Sequence, residues 1–246
     1  MKILAISNSF GVDGTRYLYG IARAAGVKLK VVTLFIGGCS LYRHYRNMLS
    51  EEKAYTLYVD GIDTGFKVSL KEALLSDEWD VVTLQQVSTL AGREGSYHPY
   101  LEELSSYAKR LAPAAKQYMY MTWSYPDGSE RIINAGYENR AQMVYDIEKG
   151  VIAAAKCINA HGIIPCLYAM NELYGDKGED TYRDRFHANL GFARYMLACV
   201  WFMTLTGKDI EGNTFRDFDV TVSEEDVLLA QRCAKSAMDK LALLKE

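Results

Sequence analysis

The feature that most constrains the fold is a repeated alternation of short apolar strands with segments of helical periodicity. Five strand-like segments follow one another along the chain: "ILAI", "KLKVVTLFI", "WDVVTLQQ", "QYMYMTWSY" and "IIPCLYAM". The segments between them carry apolar residues at helical spacing, as in "NRAQMVYDIEKGVIAAAKCINAHG". Strands that are apolar throughout are typical of parallel sheets buried on both faces. The alternation therefore predicts an α/β fold with three α/β/α layers and a flavodoxin-like parallel sheet of five strands.

One segment departs from this pattern. "AYTLYVDGIDTGFKVS" alternates polar and apolar residues around Asp60-Gly61, which predicts an extra β-hairpin near residues 54–68. The chain ends in two helical segments, "GFARYMLACVWFMTLTG" and "SEEDVLLAQRCAKSAMDKLALLK", with Ser223 at the start of the second. The 246 residues contain no repeat, linker or low-complexity tract, so we expect a single domain over residues 1–246.

Composition narrows the classes of partner. The net charge is −3 and the basic residues are scattered, so a nucleic-acid partner is not expected. No apolar run approaches the ~20 residues that cross a bilayer, so no membrane partner is expected. The five cysteines form no C-x-x-C pair, which favours buried free thiols in a reducing compartment. For the chain as it stands that compartment is the cytoplasm, whereas a protein whose signal peptide has been removed would be exported.

Two clusters of polar residues point to chemistry. Ser7, Asn8 and Ser9 directly follow the first strand, at the carboxyl edge where open α/β sheets bind ligands. Late in the chain, "DRFHANLG" places Asp184 three residues before His187. In a turn, this spacing lets the carboxylate accept a hydrogen bond from one imidazole nitrogen and leaves the other nitrogen free to take a proton. Another histidine, His44 in "LYRHYRN", is interpreted as a helix-surface residue.

Four blocks in this order, "SNSF", "IGGCSL", "LQQVS" and "DRFH", resemble the SGNH hydrolases, the GDSL-like esterase superfamily. They are most similar to an uncharacterised bacterial branch with G-N-S-F, G-G-x-S-L, L-Q-x-x-S and D-x-x-H blocks. Ser7 stands where the family has glycine, and "LQQVS" stands where it has G-x-N-D. The resemblance implies a nucleophile, an acid and a base, and three oxyanion-hole donors. The implied catalytic residues are Ser9, Asp184 and His187, and the implied donors are the backbone N–H groups of Ser9 and Gly38 and the side-chain amide of Gln85, with Gln86 as the alternative.

The resemblance implies a serine esterase that removes a small acyl group, such as acetyl, from a carbohydrate or a similar small molecule. Neither a metal nor an organic cofactor is expected, because the histidines are scattered and no cysteine pair has ligand spacing.

Two alternatives to an esterase stay open. The loop "NSFGVDGTR" precedes a helix that could receive a phosphate of a nucleotide or flavin, and the chain could be a non-catalytic carbohydrate-binding protein. Tyr97, Trp123 and Tyr125 are compatible with a sugar-binding cleft or with the edge of a core.

Overall fold

The centre of the molecule is one sheet of seven strands, in a computed structural model that describes residues 1–243. The strands are β1 (Lys2–Ser7), β2 (Lys30–Phe35), β3 (Tyr55–Val59), β4 (Ile62–Val68), β5 (Val81–Leu84), β6 (Lys116–Tyr120) and β7 (Gly162–Ile164). Their order across the sheet is β4-β3-β2-β1-β5-β6-β7. Five strands run parallel, and β3 and β4 form an antiparallel hairpin at one edge. The predicted fold class, a flavodoxin-like parallel sheet with an added hairpin, is confirmed.

Helices cover the sheet on both faces. They are α1 (Ser9–Thr15), α2 (Leu18–Ala24), α3 (Leu41–Ser50), α4 (Leu70–Leu75), α5 (Tyr100–Leu111), α6 (Glu130–Asn134), α7 (Arg140–Cys157), α8 (Cys166–Lys177), α9 (Phe192–Thr206) and α10 (Glu224–Leu243). The crossovers from β1 to β2 and from β5 to β6 move in opposite directions across the sheet. Because such crossovers are right-handed, they place α1 and α2 on one face and α5 on the other. The helix α9 packs with α1, α2, α8 and α10, whereas α5 packs with α3 and α4.

The strand β1 lies at the centre of the core. It pairs with β2 on one side and with β5 on the other, and its residues Ile3, Leu4, Ala5 and Ile6 are at most 1% exposed. The loops that follow β1, β2 and β5 therefore emerge side by side at the carboxyl edge of the sheet. Those three loops carry three of the four sequence blocks described above.

The first helix begins earlier than its sequence indicates. The two glycines in "GVDG", Gly11 and Gly14, predict a loose segment before the helical pattern that starts at Thr15, but α1 already begins at Ser9. Both glycines are needed for close packing rather than for flexibility. A Cβ atom on Gly11 would lie 1.6 Å from Ser7 Oγ, and one on Gly14 would lie 2.5 Å from the Tyr120 hydroxyl oxygen. The helix is thus pressed against the ends of β1 and β6.

The fifth parallel strand is shorter than predicted. The sequence pattern predicts a strand throughout "IIPCLYAM", but β7 ends at Ile164 and α8 begins at Cys166. Pro165 between them has no N–H to donate to a strand ladder, so the strand ends before it. The first five residues of α8 are all buried, and a fully buried helix shows the same unbroken apolar run as a buried strand.

Burial of the cysteines and of His44 partly differs from what the sequence indicates. Cys39, Cys166, Cys199 and Cys233 are buried free thiols as expected, whereas Cys157 is exposed. His44 is 1% exposed, so its interpretation as a helix-surface residue was wrong.

Among residues 1–243, no helix combines the length and the apolar character required to cross a bilayer.

Candidate active site

The turn after β1 holds Ser9 at the first position of α1. The preceding residue, Asn8, has extended backbone angles and caps the helix, because its side-chain Oδ1 accepts a hydrogen bond from the Phe10 N–H at 3.0 Å. Asn8 is buried, whereas the Ser9 side chain is only partly buried. The cap therefore fixes the backbone on one side of Ser9 and leaves its hydroxyl accessible at the carboxyl edge of the sheet.

The loop that carries Asp184 and His187 closes on itself. The flanking residues Tyr182 and Ala188 form an isolated antiparallel bridge, and the Arg183 N–H donates to the His187 carbonyl at 3.0 Å. At the tip, Arg185 adopts a left-handed conformation with φ of 57°. This tight turn brings Asp184 back alongside His187, as their spacing in the sequence suggested.

Three residues far apart in the chain meet at this point. His187 Nε2 lies 2.9 Å from Ser9 Oγ, and His187 Nδ1 lies 2.7 Å from Asp184 Oδ2. The backbone N–H of His187 also donates to Asp184 Oδ1 at 2.7 Å. The structure thus brings together the serine, histidine and aspartate that the sequence singled out, with the imidazole between the other two.

The Asp184 carboxylate is suited to hold an imidazole while it gains a proton. Partial burial opposes its ionisation, but hydrogen bonds from the side chain and backbone of His187 outweigh burial, and the pKa of Asp184 is lower than usual. The carboxylate is 46% exposed and the His187 side chain 20% exposed. An ionised carboxylate on Nδ1 fixes the imidazole tautomer that leaves Nε2 free to accept the hydroxyl proton of Ser9.

An aromatic layer that sequence reasoning missed supports the histidine. The Phe10 ring stacks on Trp123 with centroids 3.9 Å apart, and the Trp123 indole N–H donates to the Phe186 carbonyl at 3.0 Å. Phe186 in turn contacts the His187 ring edge to face, at 4.2 Å between centroids. The nearest sequence signal was the position of Phe10 and Phe186, each adjacent to a candidate catalytic residue. These contacts link the residue after Ser9 to the residue before His187.

The aromatic residues weighed as a sugar-binding cleft belong to the core. Tyr97, Trp123 and Tyr125 are each at most 1% exposed. The hydroxyl of Tyr97 donates to the Ala91 carbonyl at 2.8 Å, and that of Tyr125 lies 2.8 Å from Ser88 Oγ. All three side chains are therefore packed inside the protein, which decides between the two interpretations in favour of the core.

Gly38 lies in an exposed turn directly after β2. Its φ of +60° is in the left-handed region, which glycine adopts without strain. The turn is joined to the Ser9 side of the site, because the Asn8 side-chain amide donates to the carbonyl of the adjacent Cys39 at 3.2 Å. Within residues 1–243, the backbone N–H groups of Gly38 and Ser9 have no protein acceptor. Both are thus available to an external oxygen atom.

The two glutamines after β5 are buried and hydrogen-bonded. Gln85 Nε2 donates to Asn8 Oδ1 at 2.8 Å, and Gln85 Oε1 accepts from Ser7 Oγ at 2.7 Å. Gln86 Oε1 accepts from the Leu41 and Val87 N–H groups, and its amide donates to Ser96. Gln85 therefore contacts the turn that carries Ser9, whereas Gln86 joins the β5 loop to the start of α3.

Within the described residues, the potential metal-ligand set lies away from this site. Among residues 1–243, one group of three potential ligand side chains has its ligand atoms within 4.8 Å of one another, namely His98, Glu102 and Cys157. Glu102 and Cys157 belong to α5 and α7, and none of the three residues contacts Ser9, Asp184 or His187 through a hydrogen bond.

Comparisons with known proteins agree with this architecture. A family model described as a domain of unknown function, DUF4886, matches residues 2–237. A crystal structure of a DUF4886 family protein from Bacteroides uniformis is 30% identical, with a TM-score of 0.90, and the match covers 97% of this chain and 94% of that chain. A comparison with curated proteins finds no match.

More distant structures share the fold. A candidate SGNH hydrolase from Slackia heliotrinireducens has a TM-score of 0.58 at 20% identity, with 83% of this chain and 98% of that chain covered. A candidate GDSL-like lipase from Parabacteroides merdae has a TM-score of 0.56 at 16% identity, with 84% of this chain and 95% of that chain covered. The resemblance drawn from the four sequence blocks is thus confirmed at the level of the fold.

Proposed function

Because the chain belongs to the DUF4886 family and has the fold of SGNH hydrolases, we propose that it is a serine esterase that uses Ser9, His187 and Asp184 as its catalytic triad. One observation carries the proposal: the His187 imidazole lies within hydrogen-bond distance of Ser9 on one side and of Asp184 on the other. Nucleophile, base and orienting carboxylate in this order are the arrangement that acyl transfer to serine needs.

The reaction would begin at Ser9. As its Oγ attacks the ester carbonyl, the proton passes to His187 Nε2, 2.9 Å away. The Asp184 carboxylate stabilises the imidazolium that forms, and the imidazolium then protonates the departing alcohol. In the second half, His187 takes a proton from water, the hydroxide attacks the acyl-enzyme, and the carboxylic acid leaves as Ser9 regains its proton.

The oxyanion of each tetrahedral intermediate needs hydrogen-bond donors that have no acceptor in the resting protein. The backbone N–H groups of Ser9 and Gly38 meet that requirement within the described residues. Gln85 is the third proposed donor and would use the amide hydrogen that does not bond Asn8. Each such donor typically lowers the barrier by ~3 kcal/mol.

The proposed substrate is an ester of a small acyl group, such as acetyl, on a carbohydrate or a similar small molecule. This part of the proposal rests on the resemblance to GDSL-like esterases. It is tested by comparing kcat/KM over aryl esters of increasing acyl length and by measuring acetate release from acetylated sugars. Highest kcat/KM on acyl chains of eight or more carbons would replace the small-acyl assignment by a lipid-ester one.

A fluorophosphonate probe tests the nucleophile. The folded wild-type protein should take up one label, and peptide mapping should place it on Ser9. Ser40→Ala is a matched control, because Ser40 lies two residues after Gly38 and caps α3 rather than facing His187. It should be labelled like the wild type, whereas Ser9→Ala should not be labelled. A folded wild-type protein that takes no label would instead favour a non-catalytic carbohydrate- or nucleotide-binding protein.

A further inference from the structure

A buried carboxylate lies one helical turn from Ser9 and has no role in the proposed chemistry. Asp13 is on α1, four residues after Ser9, so the two side chains lie on the same side of the helix. Its side chain is 0% exposed. An ionised carboxylate in such a place needs partners, because isolated buried charge is strongly disfavoured.

The partners of Asp13 come from the loop that carries His187 and from α9. Its Oδ1 accepts from Arg183 Nη1 at 2.9 Å and from Arg194 Nε at 2.8 Å. Its Oδ2 accepts from Arg183 Nη1 at 3.1 Å and from the backbone N–H of Ala188 at 3.2 Å. The carboxylate therefore contacts the residue directly after His187.

Arg183 completes the connection from the loop side. Its Nη1 also donates to the Ala188 carbonyl at 2.6 Å, and its backbone N–H donates to the His187 carbonyl at 3.0 Å. Both peptide groups that follow the His187 α-carbon are thus held, either by Arg183 or by Asp13. No bond of this set involves the His187 ring, which stays free to contact Ser9 and Asp184.

We propose that Asp13 is a positioning residue, which fixes the His187 loop against the helix that carries Ser9 and so sets the distance between Ser9 Oγ and His187 Nε2. The inference rests on the proposed triad. Ser9 and His187 are 178 residues apart, and their own hydrogen bond is a single contact between partly exposed side chains. Beside the aromatic contact of Phe10 with Phe186, Asp13 supplies a connection between the same two segments that is buried and charged. A displacement of about 1 Å at a reacting pair can cost ~100-fold in rate.

The test compares Asp13→Asn with Asp219→Asn. Asp219 bonds Arg194 and Arg16 in the same cluster of charges but not the His187 loop, so its substitution controls for loss of a carboxylate beside Arg194. With an aryl acetate, Asp13→Asn should lower kcat ~100-fold with KM changed less than about three-fold. Asp219→Asn should keep kcat within about two-fold of the wild type.

A double substitution separates positioning from general destabilisation. If Asp13 acts through His187, Asp13→Asn should cost less than about three-fold in kcat when added to His187→Ala. The full ~100-fold loss in that background would overturn the proposal, and so would a kcat of folded Asp13→Asn within about two-fold of the wild type. If Asp13→Asn does not fold, Arg183→Met tests the same connection from the more exposed side and should show the same loss in kcat.

A measurement without turnover distinguishes failure of this inference from failure of the proposed function. Ring resonances of His187, assigned by comparison with His187→Gln, report the environment of the imidazole. Asp13→Asn should shift or broaden them, and Asp219→Asn should leave them in place. If the wild type has no esterase activity, the function fails, and this measurement alone decides whether Asp13 holds the loop. Unchanged resonances in Asp13→Asn would overturn the inference.

Discussion

The two sides of the candidate site are built in opposite ways. On the base side, two carboxylates hold the His187 loop: Asp184 bonds the His187 imidazole, and Asp13 accepts from Arg183 and from the backbone N–H of Ala188. His187 and Asp184 are partly exposed. On the oxyanion side, neutral amides of Asn8 and Gln85 form a buried network beneath an exposed glycine turn at Gly38. The base side is held by charge and the oxyanion side by buried neutral hydrogen bonds.

This difference determines what a substitution does on each side. His187 and Asp184 act through their own side chains, so the removal of either takes away part of a chemical step. An oxyanion-side residue acts through the backbone that it holds in place or through one amide hydrogen, so its removal also moves its neighbours. Kinetics alone identify a residue that takes part in a chemical step. A residue that also holds its neighbours in place is identified by kinetics together with stability measurements.

The largest effect is expected at the contact between the two sides, Ser9. Ser9→Ala removes the nucleophile, and kcat for an aryl acetate should fall by at least ~10⁴-fold. The melting temperature should change little, because Asn8 rather than Ser9 caps α1. Circular dichroism and thermal melts on the same preparation check that the variant is folded. Turnover by the purified variant within ten-fold of the wild type would remove Ser9 from the mechanism.

The next effect tests whether the base side acts as one unit. His187→Ala should approach the loss seen for Ser9→Ala, because Ser9 then has no group to accept its proton. Asp184→Ala should cost less when introduced alone. Added to His187→Ala, it should cost almost nothing more, since the carboxylate acts only through the imidazole. Losses that multiply in the double variant would show that the two residues act separately.

On the oxyanion side, Gln85→Ala should lower kcat by ~100-fold and leave KM within a few-fold, since an oxyanion donor acts mainly when charge develops. Gln86→Ala is the matched control, because Gln86 is equally buried but bonds Leu41 and Ser96 rather than the Ser9 turn. It should lower the melting temperature and leave kcat within a few-fold. A larger loss of kcat at Gln86 would transfer the role to that residue.

A second substitution shows whether Gln85 donates directly or acts only through Asn8. Its amide already bonds Asn8 Oδ1, so its removal also loosens the cap before Ser9. If Gln85 is a direct donor, adding Gln85→Ala to Asn8→Ala should still lower kcat by tens of fold. If the added loss disappears, Gln85 serves only to hold Asn8.

The sequence predicted the fold well because burial leaves a strong pattern in this chain. Strands such as β1, which is covered on both faces, are apolar along most of their length. The hairpin departs from that pattern because it is less buried: β3 is mostly half-buried and β4 is mostly exposed. The pattern failed where burial was equally complete in a helix. The start of α8 has no polar face, so its periodicity could not be distinguished from that of a strand.

In the candidate site, contacts between residues close in sequence could be predicted, whereas contacts between distant segments could not. Asp184 and His187 are three residues apart, so their contact is local and the spacing alone indicates it. The direction of the Gln85 amide depends on Ser7 and Asn8, 78 and 77 residues away, and no local pattern records it. The roles of Asp13 and Phe186 were missed for the same reason, because their partners come from distant segments.

The smallest expected effect concerns stability and again lies on the oxyanion side. His44 follows the Gly38 turn in α3, and its Nδ1 lies 2.9 Å from the Tyr55 hydroxyl and 3.5 Å from Cys39 Sγ. Burial, with a smaller contribution from Arg43, lowers the pKa of His44 to about 3. In the unfolded chain a histidine has a pKa of ~6.5. On acidification the unfolded state therefore binds a proton at His44 that the folded state does not bind. The contribution of neutral His44 to stability is therefore complete above pH ~6.5 and is lost as the pH falls toward about 3.

His44→Asn should remove this pH dependence. In urea titrations between pH ~6.5 and ~5, the free energy of unfolding of the wild type should fall more steeply than that of His44→Asn, by an amount that approaches ~1.4 kcal/mol per pH unit. Tyr55→Phe is the control, because it removes the hydrogen bond to His44 Nδ1 and keeps the buried imidazole. It should lower stability at every pH and retain the wild-type slope. Equal slopes for the wild type and His44→Asn would show that the folded protein binds the His44 proton over the same pH range as the unfolded chain, and would contradict the lowered pKa.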